Sequence, residues 1–126
     1  MLRKKIKWTK AYHENLGTQD KDGLYDYAYC YFIYEFVLPN NDKIKFRRYA
    51  DTADKCSMFA PLDALMQRSD NESKDNVNSI AAILHFMRTN FGIHRFDFFD
   101  KTYKSIDLDN FPNAHESFSF EEESTR

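Results

Sequence analysis

The chain has 126 residues, of which 42% are hydrophobic, 17% aromatic and 30% charged, and its formal net charge is −2 at pH 7. This composition excludes an intrinsically disordered chain, and the small negative charge excludes a global attraction to nucleic acid or to an anionic membrane. We expect one globular domain over residues 1–109, followed by an acidic C-terminal tail at residues 110–126 that is either docked or disordered.

The charges are unevenly distributed along the chain. Residues 1–10 carry only basic charges, whereas residues 107–126 carry several acids, including the run of glutamates at 121–123. The two ends can attract each other or steer different partners, although short charged ends are most often solvated.

Cysteine use and hydropathy indicate the compartment. Cys30 and Cys56 lie in apolar surroundings without a CxxC spacing, which predicts reduced thiols and leaves a disulfide open if their strands are neighbours. No segment approaches the roughly 18 apolar residues of a membrane span, and the basic start lacks the apolar stretch of a signal peptide. We therefore expect a cytoplasmic protein.

The first predicted elements are strands. Ile6, Trp8 and Tyr12 alternate with lysines, which favours a strand over a short helix that would end at Gly17. A polar loop bounded by glycines follows. The segment YDYAYCYFIYEFVL, residues 25–38, then predicts a second strand, because it is rich in aromatic and β-branched residues and lacks glycine and proline.

The next strand predicts a hairpin whose register is open. PNND at residues 39–42 is typical of a turn, and KIKFRRYA follows it. A loop with an odd number of residues would align Ile44 and Phe46 with the phenylalanines of the tyrosine-rich strand and leave its tyrosines facing solvent beside Arg47. An even loop would bury both faces, because a one-residue slip turns a strand over.

Two helices and a second hairpin complete the prediction. MFAPLDALMQRS, residues 58–69, predicts a short helix, and the apolar spacing from Val77 to Phe91 predicts a long one between Ser73 and Gly92. HRFDFFDKTYKSIDL, residues 94–108, predicts a hairpin with Asp97 opposite Lys104. The expected fold is therefore α+β, an antiparallel sheet built from two hairpins with one long and one short helix packed mainly on one face.

No stretch carries a catalytic or metal-binding motif. The four histidines lie in different predicted elements and lack the i, i+4 spacing of a helical zinc site. Cys56 beside Lys55 is a weak candidate for a nucleophile, since a cysteine among apolar residues is more often a packing residue. We predict no catalytic residue, metal or cofactor, and we keep a small enzyme with an unrecognised site as the last alternative.

The tyrosine-rich strand is the best candidate for a working surface, because tyrosine combines a large rigid ring with a polar tip and is enriched in protein interfaces. In size, aromatic excess and lack of a catalytic motif, the chain is similar to bacterial toxin-immunity proteins and phage-encoded inhibitors. This resemblance implies a protein-binding inhibitor or immunity-type protein that neutralises a toxin or defence enzyme.

A basic cleft on such a partner, for example a nuclease, would attract the acids of this chain. The predicted partner-binding residues are aromatic or charged: Tyr27, Tyr29, Tyr31, Glu35, Arg47, Tyr49, Asp97, Asp100, Asp107 and Asp109. Binding of RNA or single-stranded DNA on the tyrosine face is the main alternative. A homodimer through that face is a further possibility.

Overall fold

The computed structural model describes residues 3–24, 28–59, 70–100 and 102–123. Its elements, in chain order, are β1 (Lys4–Leu16), β2 (Ala28–Val37), β3 (Lys43–Tyr49), β4 (Lys55–Met58), α1 (Asp70–Phe91), β5 (Arg95–Asp100), β6 (Thr102–Ile106) and β7 (Phe118–Glu122). Two short 3-10 helices, Leu108–Asn110 and His115–Ser117, precede β7. The seven strands form one sheet in the order β6-β5-β4-β3-β2-β1-β7.

The predicted hairpin of β2 and β3 is present, and its loop decides the register. Residues 38–42 form the loop, an odd number, with Asn41 in the left-handed region at φ 71°. Ile44 consequently faces Phe36, and Arg47 faces Ile33. The structure has the odd-loop register, in which Tyr29 and Tyr31 of β2 share a face with Arg47, whereas Tyr34 faces the core.

The predicted fold class is wrong, because the sheet is mixed and contains more than two hairpins. The segment Lys55–Met58, which includes the first residue of the predicted short helix, is strand β4, and it pairs with β5 in parallel. Parallel neighbours require a crossover connection, which α1 supplies between β4 and β5. Most of the predicted short helix, residues 60–69, lies outside the described residues, and α1 is the one α-helix among those described.

The segment predicted as an acidic tail contains the edge strand β7. β7 pairs in parallel with the first part of β1, and the Phe118 side chain is buried. The Lys5 ammonium lies 2.8 Å from a carboxylate oxygen of Glu121, and the Lys7 ammonium lies 3.4 Å from Glu123. The basic and acidic ends of the chain are therefore paired with each other.

The predicted long helix is confirmed, and it covers one face of the sheet. α1 begins at Asp70, upstream of the predicted cap Ser73, and it is followed by Gly92 at φ 66°. Glycine suits this left-handed position because it has no Cβ. Leu84 and Met87 on the inner side of α1 are fully buried. No helix of the described chain is long and apolar enough to cross a membrane.

Side-chain alternation gives the central strands two different faces. Tyr34, Phe36, Ile44 and Phe46 point toward α1 and are fully buried in the core. On the opposite face, which we call the open face, no helix among the described residues packs against the sheet. Cys30 and Cys56 are free thiols, and β3 separates their strands.

Candidate functional site

The open face carries a cluster of rings around one arginine. We call it the aromatic–arginine cluster, and its members come from β1, β2, β3 and the residue after β4: His13, Tyr29, Tyr31, Arg47, Tyr49 and Phe59. The Arg47 guanidinium carbon lies 4.8 Å from the centroid of the Tyr31 ring and 4.9 Å from that of Phe59. Both distances are within the range of a cation–π contact.

The rings of the cluster pack against each other. The imidazole of His13 stacks on Tyr31 with centroids 5.4 Å apart and an interplanar angle of 18°. Tyr49 meets Tyr31 edge-on at 5.9 Å and meets Tyr29 tilted at 6.2 Å. The ring of Tyr31 is therefore in contact with three neighbours, and the cluster is a preassembled surface rather than a row of separate tyrosines.

Strand pairing brings these side chains together. His13 and Tyr49 are the direct partners of Tyr31 on its two neighbouring strands. Directly opposed side chains on one face of a sheet lie close enough to contact, and aromatic pairs at such positions stabilise the sheet. The cluster is thus a consequence of the register of β1 and β3 around β2.

The charged groups near the cluster differ in their pairing. Glu35 lies 3.9 Å from the Lys43 ammonium and 3.6 Å from that of Lys45, so its charge is shared between two cations. Arg47 donates to the hydroxyl of Tyr49 at 3.4 Å, and it has no carboxylate partner among the described residues. The centre of the open face is therefore positive.

A recess of about 370 Å³ opens at one end of the cluster. It is lined by Tyr29, Cys30, Tyr49, Ala50 and Asp51. Two of these residues belong to the cluster, so the recess and the rings form one continuous surface. A recess beside aromatic side chains can receive a side chain of a binding partner.

The hairpin of β1 and β2 continues past the last residue of β3, Tyr49, and we call its described end, residues 12–24 and 28–31, the hairpin arm. β3 pairs with β2 only from Tyr31 onward. The large apolar side chains that are exposed in the described chain all lie on this arm: Tyr12 (51%), Leu16 (40%), Leu24 (67%) and Tyr29 (52%). Such a concentration of exposed apolar side chains is typical of an interaction surface.

The predicted acids lie away from the cluster. Asp97 is 5% exposed and lies 3.2 Å from the Lys55 ammonium, and its strand partner is Ser105 rather than the predicted Lys104. Asp107 accepts the backbone N–H of Asp109 at 3.0 Å, and both residues are exposed. Asp100 is the last residue of β5. Tyr27 lies outside the described residues.

A second group of rings and cations, on the α1 side of the sheet, was not predicted as a site. Lys10, Phe32, Tyr34 and Arg48 form it, and we call it the basic–aromatic cluster. Burial raises the pKa of Tyr34 to about 12, and the nearby Arg48 guanidinium opposes that rise. The available signal was Arg48 itself, which shares the alternation phase of the apolar Ile44 and Phe46.

Two further titratable features lie among the described residues, the Cys56 thiol and the pair of His85 and His115. Burial raises the pKa of the Cys56 thiol, which disfavours the thiolate that a nucleophile needs. The rings of His85 and His115 stack 3.9 Å apart on the outer side of α1, and burial, His115 and Arg88 lower the pKa of His85. Within the described ranges no three His, Cys, Asp or Glu side chains are grouped to hold a metal ion.

Comparison of the chain with protein-family models, with curated proteins and with solved structures finds no match.

Proposed function

We propose that this chain is a cytoplasmic protein-binding module, an inhibitor or immunity-type protein that neutralises a toxin or defence enzyme by covering it. The observation that carries the proposal is the aromatic–arginine cluster on the open face. Tyrosine and arginine are the residue types most enriched at the energetic centres of protein interfaces. The cluster is continuous with an adjacent recess, and it includes the exposed ring of Tyr29.

The packing of the rings favours a protein partner over a nucleic acid. A base stacks on the face of an aromatic ring, so a stacking platform needs ring faces that are open. The ring of Tyr31 already contacts His13, Arg47 and Tyr49. Packed rings instead present edges and hydroxyl groups, which suit the mixed apolar and hydrogen-bonding surface of a protein.

Charge defines the chemistry of the partner surface. Arg47 is without a carboxylate among the described residues, whereas Glu35 and Asp97 are already paired with lysines. An acidic side chain on the partner would complete the hydrogen bonding of the Arg47 guanidinium. The pairing pattern therefore favours an acidic, partly apolar partner surface over the basic cleft that the acids of the sequence suggest.

A photocrosslinking experiment tests the proposal. Tyr29, 52% exposed on the open face, is replaced by the photocrosslinking residue benzoylphenylalanine in the full chain. The matched control carries the same residue at Tyr12, which is 51% exposed on the α1 side. After irradiation in host lysate, we expect one protein to be crosslinked at position 29 and not at position 12.

The captured protein is then purified and its affinity for the chain is measured directly. We expect Arg47→Gln to weaken that affinity at least about tenfold, since interface arginines of this kind contribute more than about 1.4 kcal/mol. Lys43→Gln, at the rim, should change the affinity little. An adduct with another copy of the chain would replace the proposal by a homodimer, and equal labelling from positions 12 and 29 would contradict it.

Nucleic-acid binding is the second candidate, and the register of β2 and β3 favours it. The odd-loop register puts Tyr29 and Tyr31 on the same face as Lys45 and Arg47, the arrangement that this function requires. It predicts that a single-stranded RNA or DNA oligonucleotide binds at low salt and that Tyr29→Ala weakens the binding. An unchanged electrophoretic mobility of the oligonucleotide at low salt would exclude this candidate.

A further inference from the structure

The basic–aromatic cluster places two cations above the same rings. The Lys10 ammonium lies 4.6 Å from the centroid of the Phe32 ring, and the Arg48 guanidinium carbon lies 5.0 Å from it. The same groups lie 5.9 and 5.5 Å from the centroid of the Tyr34 ring. Lys10 comes from β1 and Arg48 from β3, so the two cations approach β2 from both sides.

Donor groups in this cluster are left without acceptors. Tyr34 is fully buried, and its hydroxyl lies beside the Arg48 guanidinium, which can only donate, so the hydroxyl proton has no acceptor within the described chain. The Nε atom of Arg48 is also buried and has no partner there. A buried polar group without a partner costs about 1–3 kcal/mol, so two such groups side by side need an explanation.

Both charged groups of the cluster are positive. Neither Lys10 nor Arg48 forms an ion pair with a described carboxylate. The end of α1 lies nearby, since the Lys10 ammonium is 5.8 Å from the Phe91 ring, and the C-terminus of a helix favours a cation. That interaction accounts for one positive charge at this position, but it gives no acceptor to the Tyr34 hydroxyl or to Arg48 Nε.

We propose that the basic–aromatic cluster is a binding site for an oxyanion, a phosphate or carboxylate group. The anion would accept hydrogen bonds from Arg48, from the Lys10 ammonium and from the Tyr34 hydroxyl, so a single group would give all three donors an acceptor. Lys10 and Arg48 are half-buried, so their long side chains can part to admit it from solvent. The site lies on the α1 side of the sheet and is independent of the open face.

Arginine side-chain NMR tests the proposal on the intact chain. Inorganic phosphate and, separately, acetate are titrated at constant ionic strength while the Nε–H resonances of the arginines are followed. We expect the Arg48 resonance to shift in a saturable way. The Arg95 resonance is the internal control, since Arg95 Nε already donates to Asp54 at 2.9 Å, and it should not move.

A saturable shift with phosphate assigns the site to phosphate groups, and one with acetate alone assigns it to carboxylates. The absence of a shift with either anion would overturn the proposal. Lys10→Met should weaken the affinity at least about tenfold, because it removes a charge-assisted hydrogen bond. Lys43→Met on the other face is the matched control. An affinity that is equal in the wild type and in Lys10→Met would also overturn it.

Discussion

At the scale of single residues, the buried hydroxyl of Tyr34 gives a prediction about stability. Because the proton of this hydroxyl has no acceptor among the described residues, Tyr34→Phe removes a buried, unsatisfied polar group and keeps the ring. We expect the free energy of unfolding to rise by about 1 kcal/mol in buffer without phosphate or carboxylate. The measurement is chemical denaturation of both proteins.

Tyr12→Phe is the control for this prediction. The Tyr12 hydroxyl is exposed and donates to Glu14 at 3.1 Å, so removing it should change the free energy of unfolding by less than about 0.5 kcal/mol. A loss of stability in Tyr34→Phe would show that its hydroxyl has a stabilising partner.

The stacked pair of His85 on α1 and His115 predicts a dependence of stability on pH. The pKa of His85 is lowered below its usual value of 6.5, so its contribution to stability is present above pH 6.5 and is lost as the pH falls toward the folded-state pKa. His115 faces His85 from the 3-10 helix His115–Ser117, and Arg88 lies one turn further along α1. We expect His85→Gln to show a smaller loss of unfolding free energy between pH 7 and pH 5 than the wild type.

Thermal or urea unfolding at a series of pH values measures this difference. His13→Gln is the comparison variant, because His13 stacks on a tyrosine rather than on another imidazole. It should retain the pH dependence that belongs to the His85–His115 pair. Identical slopes in the wild type and in His85→Gln would contradict the prediction.

At the scale of elements, the burial of Phe118 predicts that β7 contributes to the stability of the fold. Phe118 is 6% exposed and belongs to the main core cluster. Truncation of a buried phenylalanine to alanine typically costs about 3–5 kcal/mol, so we expect Phe118→Ala to lower the free energy of unfolding by about that amount. Ser119→Ala, the next residue of the strand, should have a small effect, and a small effect of Phe118→Ala itself would indicate that β7 contributes little to the fold.

The sequence predicted the long elements better than the short ones. β2 and α1 are long enough for the spacing of their apolar residues to show the two-residue period of a strand and the 3.6-residue period of a helix. β4 has four residues and β7 has five, and each is too short for its alternation to distinguish a strand from a loop or a helix end. Parallel pairing of such strands also depends on contacts between distant segments, which local patterns do not encode.

The same limit explains which parts of the candidate sites could be predicted. The tyrosine face follows from alternation within β2 alone, although its exposure depended on the register with β3. The cluster of Lys10, Tyr34 and Arg48 combines one residue from each of three strands. Its members become neighbours only when both registers are known, so the sequence showed no more than an arginine in an apolar phase.

At the scale of the whole molecule, the sheet separates two chemically different surfaces. The open face carries rings that contact one another around Arg47, and the α1 side carries the core and the basic–aromatic cluster at its end. The two ends of the sequence pair at one edge of this sheet, because β7 lies beside β1 with opposite charges paired across the two strands. Both proposed sites thus depend on the adjacent strands β1, β2 and β3.

This arrangement predicts a gradient of local stability along the β1–β2 hairpin. Thr9 pairs with Glu35 in the part that β3 flanks, whereas Asn15 pairs with Tyr29 in the hairpin arm beyond the β3 pairing. The arm has many exposed side chains and few core contacts, which are the features of segments that open locally. We expect the amides of Asn15 and Tyr29 to exchange with much lower opening free energies than those of Thr9 and Glu35.

Native-state hydrogen exchange measures these free energies. The same measurement with and without a binding partner tests whether the partner stabilises the arm. A partner that binds the open face stabilises the closed arm by mass action, so protection at Tyr29 should rise when the partner is present. We expect protection at Glu35, which lies between two paired strands, to be close to the global value and to rise less in proportion. Equal opening free energies at all four amides would show that the arm unfolds only together with the sheet, and would leave the exposed apolar side chains on a rigid surface.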